Sequence, residues 1–217
     1  GVQTCALPIL VTTLEKNGLK DLIGNVQPVK EVIPVAIDES AIFYFTSGTT
    51  GEPKAIMLSH RNVASFLDWA IEEFELSQDD RLAGHAPYHF DISTLDLFAG
   101  VRKGATSVVL TDAVVKFPAK VSQVLEQQKV TIWYSVPTAL ILLLDHGVLG
   151  RRNLASLRLI LFAGEVFQLP ALRKLMEVLP DKAYYNLYGP TETNVCTYYK
   201  VPDVLPASVE MLPIGKP

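Results

Sequence analysis

The sequence predicts an α/β fold, a mostly parallel sheet flanked by helices, and three observations carry that expectation. Short apolar runs bounded by turn residues alternate with stretches of helical spacing, the pattern of strand–helix–strand units whose strands lie parallel. Of the 217 residues, 49% are hydrophobic and 19% are charged, which supplies a substantial core and argues against a disordered chain. The Gly- and hydroxyl-rich segments directly follow apolar runs, and open α/β sheets bind ligands beyond the carboxyl ends of their strands.

Taken in order, the first nine residues, GVQTCALPI, resemble translated adapter read-through, so they and Cys5 are set aside and the folded portion is taken as 10–217. Residues 10–40 show sparse periodicity. Ala41-Ile42-Phe43-Tyr44-Phe45 is short, aromatic-rich and bounded by turn residues, as a buried strand should be. It empties into Thr46-Ser47-Gly48-Thr49-Thr50-Gly51-Glu52-Pro53-Lys54. Glycines let backbone N–H groups converge on an anion, hydroxyls add donors, and Lys54 adds a point charge, so the segment suits phosphate. Its spacing is not that of a Walker A loop, and a plain Ser/Thr/Gly surface loop is the alternative.

Ile56-Met57-Leu58 forms the next strand, and Ser59 caps a helix over His60–Phe74 that buries Val63, Phe66, Leu67, Ala70, Ile71 and Phe74. His60 at its start suits a partly exposed turn. Further strands are expected over Thr106–Leu110, Val130–Ser135, Leu157–Phe162 and Ala183–Tyr188. Helices are expected from Phe117-Pro118 to Gln128, from Pro137 to His146, and around Leu172, Leu175, Met176 and Leu179. Within His85-Ala86-Pro87-Tyr88-His89-Phe90-Asp91-Ile92-Ser93, Pro87 opposes the helix that would turn both histidines to one metal. Ser93 and Asp96 have the spacing of a capping box. Asp91, between Phe90 and Ile92, sits in an apolar setting where an ionised carboxylate needs a cationic partner.

Composition excludes several function classes. A formal net charge of −4 and no basic stripe give no nucleic-acid surface. The longest apolar run, Ala139–Leu144, is too short to span a bilayer, and no signal peptide is visible. Cys5 and Cys196 suggest no disulfide framework, so a cytoplasmic setting is expected. The chain stops at Ile214-Gly215-Lys216-Pro217 without a terminating element, and an internal piece of a larger protein is expected.

The set TSGTTGEPK, FDIS, FAGE and NLYGPTET, in this order over residues 41–217, resembles the adenylate-forming superfamily, and more narrowly its amino-acid adenylation domains. The resemblance implies a partial N-terminal subdomain, with the family's opening portion missing and its C-terminal lid, which carries an essential lysine and a ribose-binding aspartate, absent. It implies ATP and Mg²⁺, an acyl-adenylate, and transfer to a phosphopantetheine thiol, with charge gathering on the α-phosphate and pyrophosphate. Thr46, Ser47, Thr49, Thr50 and Lys54, with Gly48 and Gly51, would hold the β- and γ-phosphates. Tyr188 would stack on adenine with Asn186 at its edge, and Gly164, Glu165 and Gly189 would complete the nucleotide site. Thr191 would touch the α-phosphate and Glu192 would ligate Mg²⁺. Outside that context Tyr188 reads as core, Gly189-Pro190 as a turn and Glu192 as a surface acid. Ala55 departs from the family, which usually has glycine there.

The resemblance also gives Asp91 a role, pairing with a substrate ammonium, which separates amino-acid activation from acyl-CoA or aryl-CoA ligation. It places Ile92, Leu95, Tyr134, Leu161, Ala163, Leu187, Val195 and Cys196 around the substrate side chain. That lining is similar to the lining of free-standing ligases that load L-proline onto a carrier protein. Several of these residues could equally pack the sheet. A non-catalytic nucleotide-binding relative is the third alternative.

Overall fold

The computed structural model describes residues 34–46 and 53–217. Contacts divide the chain after Val35, and every element below lies in the unit from Ala36 to Pro217. Six strands form one sheet: β3 (Arg81–Gly84), β4 (Thr106–Val109), β5 (Ile132–Ser135), β6 (Leu159–Phe162), β7 (Ala183–Tyr188) and β8 (Thr197–Lys200). Their spatial order is β4-β3-β5-β6-β7-β8, parallel from β4 to β7, with β8 antiparallel at the edge. The mostly parallel sheet expected from sequence is present.

The central strands are buried on both faces, as all-parallel sheets require. Every residue of β5 and β6 is buried. Alternation then sorts their side chains into two cores. Trp133, Ile160 and Phe162 join a cluster with Val121 and Leu125 of α4 (Pro118–Gln127), Leu140 and Leu143 of α5 (Pro137–His146), and Leu172 and Leu175 of α6 (Leu169–Val178). Ile132, Tyr134, Leu159 and Leu161 join the other cluster, with Val63, Phe66, Leu67 and Ala70 of α1 (His60–Glu73). The sheet is thus clothed by α4–α6 on one side and by α1 on the other. The short helices α2 (Gly100–Lys103) and α3 (Asp112–Val115) flank β4. Among the described helices none is long and apolar enough to cross a membrane.

Ser59 caps α1 as its sequence requires, with Asn62 returning the bond to complete the box. Three expectations need correction. The strand before the phosphate-type segment is not in the main sheet: β1 (Ser40–Thr46) pairs antiparallel with β2 (Lys54–Ser59) as a separate two-stranded sheet, and Lys54 opens β2 opposite Thr46. Tyr44 and Leu58 of this hairpin pack on the α1 side, while Phe43, Phe45 and Met57 face outward. The strands β3 and β8 went unforeseen, because four-residue strands with a charged or polar member carry little periodic signal. The Ser93–Asp96 capping box does not form. Ser93 Oγ donates instead to the Phe90 carbonyl at 2.7 Å, and Asp96 lies in a π-helical turn, Leu95–Ala99, fully enclosed.

The amino ends of β3, β5 and β6 are fastened by one carboxylate. Asp80 is buried and accepts from Thr131 Oγ1 at 2.7 Å, from Arg158 Nε and Nη2 at 3.0 Å each, and from the Ser77 amide at 2.9 Å. Burial pushes its pKa up, but the bonds from Arg158, Thr131 and Ser77 outweigh that and hold it below the ordinary 3.8. A folded-state pKa below the unfolded one adds stability at pH above about 4, and that contribution is lost as pH falls through the folded value. Asp80→Asn should therefore cost about 1.5–3 kcal/mol at neutral pH, toward the lower end because Arg158 is partly solvated. Urea denaturation at a series of pH values should show that loss shrinking in acid. An equal loss at pH 7 and pH 2 would contradict the network's role.

Candidate functional site

The unusual segments gather at the carboxyl ends of β6 and β7. Strand β6 ends at Phe162, and Ala163-Gly164-Glu165 turns away with Gly164 at φ +86°, a conformation that favours glycine. Strand β7 delivers Asn186, Leu187 and Tyr188, followed by Gly189. Gly164, Glu165, Asn186, Leu187, Tyr188 and Gly189 border one cavity of about 530 Å³. Tyr188 is 50% exposed, which leaves its ring face open for stacking rather than sealed in core. Val166, Phe167 and Met211–Ile214 complete the walls, and Asn186 Nδ2 donates to the Pro213 carbonyl at 2.8 Å.

The sequence analysis did not single out those wall residues; in the structure Val166, Met211 and Ile214 are exposed apolar residues. Glu165 borders the cavity, but its carboxylate is engaged elsewhere: it accepts from the Thr138 amide at 2.9 Å and from Thr138 Oγ1 at 2.5 Å. It thereby caps the start of α5 from another element.

Gly189 is fixed by close approach. A Cβ placed there would lie 2.0 Å from the Asn194 carbonyl oxygen. The loop 189–196 folds back on itself, with Asn194 at φ +57°, Thr193 bonded to the Pro190 carbonyl and the Cys196 amide bonded to the Tyr188 carbonyl at 2.9 Å. Thr191 is half-buried in this loop and Glu192 is exposed. Thr191 and Glu192 do not line the cavity of about 530 Å³; Glu192 borders a different one, of about 310 Å³, with Val195 and with Asn62, Ser65, Phe66 and Trp69 of α1.

The residues expected around a substrate side chain also converge. Leu95, Tyr134, Leu161, Ala163 and Leu187 are buried in the single cluster on the α1 side, with Ile92 and Val195 packed against it. Cys196 stands apart: it is exposed, its Sγ against the Tyr188 carbonyl. Asp91 is half-buried, and no ion pair of Asp91 is present among the described residues. Burial raises its pKa, and the charge of Glu192 adds to the rise. Tyr134 is pushed up chiefly by burial, and the charges of Asp91 and Asp96 add to the rise. A carboxylate held at the edge of an apolar cluster without a cation is chemically prepared to receive one. Asp96 is raised further still by burial, and neither of its oxygens has a partner among the described residues.

Of the phosphate-type segment, Ser47, Gly48, Thr49, Thr50 and Gly51 lie outside the described residues, as does Cys5. Thr46 closes β1, half-buried, and Lys54 opens β2, exposed. The histidines are not joined by a metal-type arrangement. His85 Nδ1 pairs with Ser135 Oγ at 3.0 Å, whereas the His89 ring packs on Phe90 at 4.4 Å. Among the described residues no three metal-ligating side chains cluster.

A family model described as "AMP-binding enzyme" matches residues 5–217. Over 97% of its length the chain is 46% identical to an L-proline–[L-prolyl-carrier protein] ligase of Streptomyces coelicolor, covering 43% of that protein. It is 39% identical to a like-named ligase of Pseudomonas fluorescens, over 88% of this chain and 39% of the relative. Among solved structures, the Vibrio cholerae adenylation domain AlmE in complex with glycyl-adenosine-5′-phosphate superposes with a TM-score of 0.74 at 30% identity, over 83% of this chain and 34% of that one. CmiS6 gives 0.76 at 32% identity, over 88% and 44%. The chain spans about two-fifths of the length of the curated relatives it matches.

Proposed function

The chain belongs to the AMP-binding enzyme family, and from that premise we propose that it supplies the nucleotide and substrate sites of an ATP-dependent amino-acid ligase. On this reading residues 10–217 are part of an adenylation domain. The amino acid's carboxylate oxygen attacks the α-phosphorus of ATP and expels pyrophosphate. The phosphopantetheine thiol of a carrier protein then attacks the acyl carbon and releases AMP. The proposed amino acid is L-proline, as in the names of the two relatives above, and the proposed setting is the cytoplasm.

The observation that carries this reading is one apolar cluster that gathers Leu95, Tyr134, Leu161, Ala163 and Leu187, with Ile92, the neighbour of half-buried Asp91, packed against it. Leu187 belongs to that cluster and also borders the cavity of about 530 Å³, so the amino acid and the nucleotide would meet along one strand end. Asp91 would hold the ammonium, Tyr188 would stack on adenine, and Thr191 would reach the α-phosphate. Thr46, Lys54 and the residues between them would meet the terminal phosphates. An exposed carboxylate beside phosphates suits Mg²⁺, which binds through one or two carboxylates plus phosphate oxygens and waters, so Glu192 fits as its protein ligand. When bound, that ion would neutralise phosphate charge. Acyl- or aryl-CoA ligation is disfavoured, because those substrates leave Asp91 without a cation.

Lys54→Ala tests the phosphate role. It should slow ATP–pyrophosphate exchange by roughly 10- to 150-fold, the worth of a charge-assisted contact of about 1.5–3 kcal/mol, with amino-acid binding little changed. An unaltered exchange rate would remove Lys54 from the chemistry.

A further inference from the structure

Helix α5 starts without a cap of its own. Val136, the residue before it, makes no side-chain bond to the first turn, and Pro137 at the first position has no N–H to offer. The Ala139 and Leu140 amides turn back to the Val136 carbonyl, at 3.1 and 3.2 Å. That leaves the Thr138 amide as the first-turn donor that the helix backbone does not take up. Glu165 accepts from it at 2.9 Å, and the same carboxylate oxygen, Oε2, accepts from Thr138 Oγ1. A carboxylate at this end also meets the positive pole of the helix dipole.

Glu165 reaches Thr138 from the turn that follows β6. At the start of that turn the Ala163 amide donates to the Ser135 carbonyl at 3.2 Å, and Gly164 lies against Val136, whose Cγ1 would be 3.8 Å from a Cβ placed there. At its end Phe167 is buried, edge-on to Phe162 at 4.9 Å. Gly164, Glu165 and Val166, between these two anchors, are exposed, and they form a wall of the cavity proposed for the nucleotide. Among the described residues, the Glu165 carboxylate is the polar side chain that ties this stretch down. The opposite wall, Met211–Ile214, is fixed separately, through the bond from Asn186 to Pro213.

We propose that Glu165 is a positioning residue, whose carboxylate serves the nucleotide by holding this wall against the start of α5 and does not itself touch the ligand. The inference rests on the nucleotide reading of the cavity given above. Since one oxygen makes both bonds, the carbonyl of a glutamine has the length and the acceptor to replace it, whereas a methyl has neither.

The test titrates ATP into the full-length protein by calorimetry and measures pyrophosphate exchange. Glu165→Ala should weaken ATP binding about tenfold and raise KM for ATP to match, with kcat and KM for the amino acid little changed. Glu165→Gln should recover most of that loss. Thr138→Val keeps the amide and loses only the hydroxyl, so it should cost part of the affinity, and nothing further once Glu165 is alanine. A carboxylate that bound nucleotide directly would make glutamine as damaging as alanine and leave Thr138→Val silent. A cap that served the fold alone would lower Tm with ATP affinity unchanged. Either result overturns the proposal. A parent protein that binds no ATP would overturn the nucleotide reading and this inference with it, whereas equal ATP binding by parent and Glu165→Ala would remove the positioning role alone.

Discussion

Asp91→Ala is expected to abolish amino-acid-dependent ATP–pyrophosphate exchange while the protein stays folded. Asp91 is half-buried, its neighbour Ile92 packs against the apolar cluster, and it has no ion pair among the described residues. A substrate ammonium brought there loses water, and Asp91 is the charge that replaces it. Removing one member of a buried pair costs about 3–5 kcal/mol, or roughly 150- to several-thousand-fold in affinity. A des-amino analogue has no ammonium to lose, so the variant should handle it as well as the parent does. Burial and the Glu192 charge raise the pKa of Asp91, so amino-acid affinity should weaken in acid at a higher pH than an ordinary carboxylate would dictate. KM for the amino acid, measured between pH 5 and 8 in parent and variant, checks both points. A variant that turns over its amino acid normally would move the acyl-CoA ligase reading ahead.

Gly189→Ala should be the most damaging single methyl at the proposed nucleotide site. The added carbon would lie 2.0 Å from a backbone oxygen, that of Asn194, rather than against a side chain that could rotate away. The loop carrying Thr191 and Glu192 must therefore shift, and with it the floor beside Tyr188. Overpacking of this kind costs about 1–3 kcal/mol and sometimes more, and here the strain falls on the binding loop itself. Nucleotide affinity, followed by fluorescence of a labelled ATP analogue, should fall about a hundredfold, with a smaller loss in thermal stability. Gly150→Ala, where a Cβ would meet nothing within 4 Å, serves as the control and should leave both unchanged. Parental affinity in Gly189→Ala would separate this loop from the nucleotide.

The central strands were legible in the sequence because burial on both faces leaves a short, unbroken apolar run, as in Leu159–Phe162. Helix α1 was legible through its stripe and its Ser59 cap. What escaped was set by tertiary contact. Arg81–Gly84 is a strand because β4 and β5 pair with it on either side, and its own residues scarcely say so. The hairpin of β1 and β2 stands outside the main sheet, which no local pattern distinguishes from a parallel strand. Asp96 has the spacing of a capping residue, but the chain turns through a π-helical segment and encloses it. In the candidate site, motif residues that end or follow β6 and β7 border one cavity, and Met211–Ile214 join them from a segment distant in sequence. Glu165 was assigned to the nucleotide by its motif, and only the fold reveals that its carboxylate holds Thr138.

The most direct test of the proposed chemistry is amino-acid-dependent ATP–pyrophosphate exchange by the full-length protein across all proteinogenic amino acids. An apolar lining with Asp91 to meet the ammonium should favour L-proline. Ring-size analogues and small apolar amino acids should trail by roughly 10- to 200-fold, the worth of a methylene in an apolar pocket. Lysine and glutamate, whose second charge would be left unpaired, should give background. Exchange that peaks on a charged or polar amino acid, with proline at background, would contradict the substrate assignment. Exchange with none of them would contradict amino-acid activation itself.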